Sequence, residues 1–434
     1  MTTKAASAAE SSKRPRVSSA RAHYVLGLLT LISALNYADR GVLTLLLDSI
    51  KKDFQLTDTT LGLIAGFGFV LFYSFLGLPV ARWADRFNRR LILAAGLVVW
   101  SAMTCFGGLS RNAWQLAVTR FGVGAGESCG VAPAHSMLSD LFPRDTLPRA
   151  LSVLTAGSQL GIFFGSVLTG VVNQYYGWRM AFLAAGIPGI AVAVLFLFTV
   201  KEPARGATTE REASTRLFSV RETARFLMQQ RSFVFTTIGG SLMGINIYGF
   251  QVWTPAYLHR VHHLSSSQIG TYVGTVMGLI GIAGVLLGGF LVEKLGKRDQ
   301  RWGAYVPALA CIFSCPLYLL FLSVRAVAPS LIFLLLAGIL TRIYLGPTFA
   351  IFQMVSKVRM RAVASAAFLF VGNLLGLGFG SLLIGMLNDG LRPRYGEMAI
   401  RYSLIVPSVI TLLAGGLFFV AARYLVRDIQ AAGE

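Results

Sequence analysis

The chain has 434 residues, of which 55% are hydrophobic and only 13% charged, with a mean hydropathy of +0.64. Soluble domains carry about 25% charged residues, so a soluble enzyme or binding module is excluded and a membrane protein is expected. The formal net charge of +20 would suit a nucleic-acid binder, but most of the Lys and Arg fall on tails and alternate loops, the bias that orients membrane helices rather than a polyanion-binding face.

In chain order, residues 1–21 are Ala/Ser-rich, carry Lys4, Lys13, Arg14 and Arg16, and read as a disordered inner tail. The apolar run that follows is too long for a signal-peptide core and lacks a clear cleavage site, so it reads as an uncleaved first helix. Twelve runs approach or exceed the roughly 20 residues that span a bilayer: 22–48, 58–84, 89–108, 112–142, 148–174 and 179–200, then 232–258, 266–293, 303–323, 328–355, 361–388 and 398–424. Residues 201–231 form a basic inner linker in which "TRLFSVRETARFLMQQ" reads as an amphipathic surface helix. Residues 425–434 are an inner tail.

Several spans carry groups that are costly in hydrocarbon. The first holds "LNYADRGVL", with adjacent Asp39 and Arg40; the fourth holds Arg120 and Glu127; the tenth holds Arg342. Ionisable residues at this depth usually face the bundle interior or a watery path and mark transport. Arg120 and Glu127, seven residues apart, share one helix face about 10 Å apart along the axis, whereas Asp39 and Arg40 point about 100° apart. One of the latter pair is therefore expected to face the fourth span. Asp39 and Glu127 are the candidate proton-carrying carboxylates. Burial favours a neutral acid and a neighbouring Arg favours the carboxylate, so a change of partner between two states changes proton affinity. Arg40, Arg120 and Arg342 are candidates to neutralise these acids or to bind an anionic headgroup, for which the planar guanidinium is suited. The alternative is a charge network that only holds helices together.

The chain also repeats itself. "GSQLGIFFGSVLTGVVN" from Gly157 returns as "GNLLGLGFGSLLIGMLN" from Gly372, "TRFGVG" from Thr119 as "TRIYLG" from Thr341, and "ARWADRFNRR" from Ala81 as "GFLVEKLGKR" from Gly289. Three pairs in the same order mark a duplicated six-span unit. With an even number of spans per unit, the halves enter from the same side and are related by an axis along the membrane normal. The expected fold is an all-α membrane protein of two pseudo-symmetric six-helix bundles, 22–200 and 232–424. The glycine stripes Gly157/Gly161/Gly165 and Gly372/Gly376/Gly380 are expected to pack closely on neighbouring helices, across the interface of the halves.

"ARWADRFNRR" resembles the signature loop of the major facilitator superfamily, departing from it with Ala81 and Asn88 where the pattern has Gly; the second copy has Glu293 where the pattern has Asp. "NYADR" (36–40), Asn88 and "RFGVGAGESCGVAPAHSMLSDLF" (120–142) are similar to the spinster branch. The resemblance implies a twelve-helix major facilitator fold, alternating access, proton coupling, and an amphipathic, anionic lipid substrate such as a lysophospholipid or sphingosine phosphate. It also implies that Asp85, Arg86 and Arg89, joined by Asp140, form a conformational latch. By position, Asn36, Tyr37, Ser128, Asn246, Tyr248, Gln251, Tyr344, Gln353, Phe368, Phe370 and Asn373 are candidates to line the substrate cavity, the aromatics having core or lipid-facing packing as the alternative.

His135 lies on the helix of Arg120 and Glu127 and reads as a buried neutral His or a proton relay. "HRVHH" (259–263) has metal-like spacing but no acidic or Cys partner nearby in sequence, and Cys105, Cys129, Cys311 and Cys315 suggest neither metal nor disulfide. No cofactor is expected. Without a GxxxxGK[ST] loop, a Ser–His–Asp set or an HExxH motif, neither a primary pump nor an enzyme is indicated. The expected setting is a bacterial inner membrane, both termini cytoplasmic, as a monomer whose partners are protons, a lipid-like substrate and membrane lipids. A carrier of a small hydrophobic drug or organic anion is the second reading.

Overall fold

The computed structural model describes residues 19–143, 145–205, 220–357 and 360–433. The expected inner tail lies outside the described residues up to its last three positions, as do residues 206–219 of the linker; the linker's described helix is Val220–Gln229.

The secondary structure among the described residues is helical. The first span, Ser19–Leu45, continues into a short helix Leu47–Phe54. The second runs through Asp58–Gly62, a π-helical stretch Leu63–Phe67 and Gly68–Arg86. The third is Arg89–Gly108, and the fourth is broken into Ala113–Glu127 and Val131–Leu141. The fifth and sixth form Leu147–Thr199, folded back at Gly177, whose φ of 82° only glycine adopts freely. The second half repeats the plan: Arg231–His262, Ser266–Gly296, Trp302–Ser323, then Val327–Arg342 with Leu345–Met354. The eleventh span combines Arg361–Asn373, a π-helical Leu374–Gly380 and Ser381–Tyr395, and the twelfth ends in Ile405–Gly433. The last helix thus continues beyond residue 424, where apolarity stops.

Short polar residues start these helices. Asn88, Asn112 and Thr57 each accept the backbone N–H three residues on, and Ser265 forms a reciprocal capping box with Gln268. Asn88, where the signature pattern has Gly, is therefore the cap of the third span. The duplication reaches single dihedral angles. Gln55 and His263, the non-glycine residues with positive φ (53° and 54°) among the described residues, occupy matching turns, each followed by Leu and then a Thr or Ser cap.

In lipid, helices associate by close contact rather than by expelling water, and the glycines show where. A Cβ on Gly157, Gly161 or Gly165 would collide with Thr30, Ala34 or Ala38 of the first span; on Gly376 or Gly380 it would collide with Gly244 or Ile245 of the seventh. The glycine stripes therefore weld helices within each half, not across the interface as expected. The cross-interface approach is made further along, where Gly170 lies on Ser266 and Gly270, and Gly385 on Asp58 and Thr59.

The buried apolar residues follow the same division. One core, holding Leu43, Leu61 and Phe182 with Trp253, Ile269 and Phe321, is shared by both halves on the face opposite the termini, here the distal face. Toward the terminal face the core splits into two. One is built on Leu29, Trp100 and Phe196 of the first half, the other on Phe233, Phe352 and Phe418 of the second. The halves are joined distally and part toward the termini.

Gly161→Ala forces a methyl group into the Ala34 backbone, whereas Gly27→Ala meets nothing within 4 Å. Overpacking of this kind costs about 1–3 kcal/mol. The expected outcome is a lower unfolding temperature for Gly161→Ala alone, read by thermal unfolding of the purified protein.

Candidate functional site

The buried charges of the first half converge. Asp39, Arg120 and Glu127 are 3%, 2% and 1% exposed. Arg40 Nε donates to Glu127 Oε2 at 2.6 Å, so it is Arg40 that faces the fourth span. Its guanidinium also lies 5.0 Å from the Tyr37 ring, 5.1 Å from Phe69 and 4.8 Å from Tyr73, an aromatic cage suited to a cation. Asp39 turns the other way and accepts from Thr104 Oγ1 at 2.7 and 2.8 Å. Two features remain open. Glu127 Oε1 and the Nε and Nη1 atoms of Arg120 are buried without hydrogen-bond partners. A fixed ion-pair network would close such valences, because an unpaired polar atom in hydrocarbon is expensive.

Across the interface the site is polar but not acidic. Tyr248 donates from its hydroxyl to Asn373 Oδ1 at 3.3 Å. Arg342 ends its helix half-buried, beside Gly284 of the eighth span; the structure does not bring it into an ion pair with Asp39 or Glu127. Phe370 meets Phe75 of the first half at 5.5 Å. Asn36 and Ser128 are buried in the first half, Ser128 donating to Ala125 O, and Gln251 is half-buried on the seventh span. Other cavity candidates lie elsewhere. Asn246 is fully buried, donating to Pro407 O of the twelfth span, and Phe368 packs among Phe349 and Phe352. Tyr344 is in the same core, and Gln353 is exposed near Ser365. His135 is exposed rather than buried.

At the terminal face, Arg89 is buried and forms the centre of a cluster. It donates to Asp140, to Glu202 Oε1 at 2.7 Å, to Ser136 and to Pro203 O. Asp85 and Arg86 are exposed and stand outside these bonds. Glu202, whose other oxygen accepts from Arg90 N at 2.9 Å, was not foreseen; it carries no pattern beyond lying just past a span. Thr104 likewise had no signal, being one hydroxyl in an apolar helix.

At the distal face the halves are locked by charge. Arg260 of the seventh span grips Asp48 and Asp58 of the first half, Lys51 also binds Asp58, and His259 lies 3.0 Å from Asp48. "HRVHH" thus contributes His259 and Arg260 to this charge cluster. No group of His, Cys and acidic residues placed to hold a metal occurs among the described residues, and the cysteines are free. Two capping contacts flank the lock: Asp389 accepts from the backbone N–H of Asp58 and Thr59, and Gln174 from that of Ser267.

A duplicated helical bundle with charges buried between its helices, locked at one face and parted at the other, defines a secondary transporter rather than an enzyme. Residues 29–380 match the family described as Major Facilitator Superfamily, and the chain belongs to that superfamily, in its spinster branch. It is similar to an MFS-type efflux pump of Mycolicibacterium smegmatis (strain ATCC 700084 / mc(2)155), 32% identical over 94% of each chain. It is also similar to the sphingosine-1-phosphate transporter SPNS2 of Danio rerio, 27% identical over 93% of this chain and 84% of that one. Its fold matches the crystal structure of a bacterial homologue of the human lysosomal transporter Spinster in an inward-facing, unoccupied conformation. The TM-score is 0.87 at 26% identity, over 95% of this chain and 99% of that one.

Removing one member of a buried ion pair strands the other, at about 3–5 kcal/mol, while replacing both with apolar groups is close to neutral. Arg40→Leu is therefore expected to lower the unfolding temperature, and Arg40→Leu with Glu127→Leu to recover most of the loss, read by thermal unfolding in detergent.

Proposed function

We propose that the protein moves an amphipathic anionic lipid, of lysophospholipid or sphingosine-phosphate type, across the membrane by proton-coupled alternating access. The observation that carries this reading is the Glu127 carboxylate, held by Arg40 through one oxygen and unpartnered at the other. In the state described, Arg40 supplies the positive charge. When the halves rock and the first and fourth spans shift, a proton takes the place of Arg40 on Glu127, and Asp39 on Thr104 is the second carrier. Arg120, with two unpartnered nitrogens, is the donor left free for an anionic headgroup. The relative named for sphingosine-1-phosphate transport supports a substrate of this class.

In this reading the terminal face is cytoplasmic, the membrane is a bacterial inner membrane and the working unit is a monomer. The Arg89 cluster is the latch of the terminal face. A second reading, a carrier of small hydrophobic drugs or organic anions, is favoured by the Mycolicibacterium relative named as an efflux pump.

In proteoliposomes under an imposed pH gradient, Glu127→Gln and Asp39→Asn are each expected to lower proton-driven flux of a fluorescent lysophospholipid at least tenfold. Glu127→Gln should retain gradient-independent exchange. Unchanged proton-driven flux in both variants would overturn the coupling assignment. Competition by lipophilic drugs and not by lysolipids would favour the second reading.

A further inference from the structure

The two distal seams are built to one plan, and one of them is incomplete. At the seam of the fifth and eighth spans, Asn173 uses its whole amide: Nδ2 donates to Ser266 Oγ at 2.9 Å and to Ser49 Oγ at 3.1 Å, and Oδ1 lies 3.3 Å from the Ser49 hydroxyl. Its repeat counterpart, Asn388, lies at the seam of the eleventh and second spans. Asn388 is more deeply buried, at 2% exposed against 9% for Asn173, yet both Nδ2 and Oδ1 lack any partner. The reason is a substitution in the duplicated partner. Where the eighth span offers Ser266, the second offers Asp58, whose carboxylate is already taken by Lys51 and Arg260.

Beside Asn388 a cavity of about 660 Å³ opens on the distal face, lined from both halves. Its acids Asp48, Asp58 and Asp389 are committed to Arg260, Lys51, His259 and backbone N–H groups. Lys52 and Arg392 line the same cavity outside these ion pairs, opposed by one acid, Glu397. A buried amide with donor and acceptor both unmet costs about 1–3 kcal/mol per group, and it sits next to uncommitted cations. The fitting ligand is an anion that also carries a hydrogen-bond donor. A protonated phosphate group meets these terms; sulfate at neutral pH has no O–H for Asn388 Oδ1, and a metal cation is repelled by Lys52 and Arg392.

We propose that this cavity binds a phosphate-type anion, either free phosphate or a phosphomonoester headgroup, and that occupancy clamps the distal face shut. A ligand held by both halves stabilises the state in which they meet. The inference is independent of the transported substrate, since it needs only the distal seam.

The test is calorimetric titration of the full-length protein in nanodiscs with inorganic phosphate, sodium sulfate at matched ionic strength, or a short-chain lysophosphatidic acid. Saturable binding of a phosphate probe is expected. Affinity should fall at least tenfold for sulfate and at least tenfold for that probe in Asn388→Leu. Arg392→Gln, on the exposed rim, should weaken it without changing the fold and carries the test if Asn388→Leu is unstable. Binding of inorganic phosphate identifies the free anion; binding of the lysolipid alone, weakened by Arg392→Gln, identifies a headgroup at this cavity rather than at Arg120. Absence of saturable binding by both phosphate probes, or binding indifferent to sulfate exchange and to both substitutions, overturns the proposal.

Discussion

Inside a bilayer no water is released when two apolar helices touch, so adhesion depends on backbones coming close enough for dispersion and polar contacts. Here that requirement sets the architecture. Glycines of the fifth span sit against Thr30, Ala34 and Ala38, and those of the eleventh against Gly244 and Ile245, which makes each half a stiff unit. Between the halves the same kind of approach is made by Gly170 and Gly385 near the distal face. The close contacts are thus dense within each half and, between the halves, gather near one edge.

Charge placement complements this division of rigidity. The Arg260 lock pairs opposite charges from the two halves, so it depends on the two halves being in contact. The Arg40–Glu127 pair and the Asp39–Thr104 bond lie within the first half, so neither needs contact between the halves. The Arg89 cluster ties the first half to the start of the linker, through Glu202 and Pro203. The facing surface of the second half offers the neutral pair Tyr248 and Asn373. The duplicated scaffold has thus kept its mechanical parts in both copies, down to the matching turns at Gln55 and His263, while its ionisable chemistry has become one-sided.

Much of this was readable along the chain. Twelve apolar runs, the repeat and the intramembrane charges are local properties: hydropathy needs only a window, and helical spacing places Arg120 and Glu127 on one face. Where the reading failed, the missing information was the identity of a neighbour. The glycine stripes announced close packing but not that the partner lay in the same half. Phe368 looked like a cavity wall and is a core residue; His135 looked buried and is exposed; Asp85 and Arg86 matched a motif whose cluster is held by Arg89 and Glu202 instead.

The order of residues settled the span count, the two-fold plan and which ionisable groups fall inside apolar runs, because hydrocarbon imposes its cost residue by residue. It could not settle that Arg40 rather than Asp39 reaches Glu127, that Thr104 serves Asp39, or that Asn173 is satisfied while its copy Asn388 is not. Those outcomes depend on groups tens to hundreds of residues apart meeting within about 3 Å, a distance set only when the helices are packed.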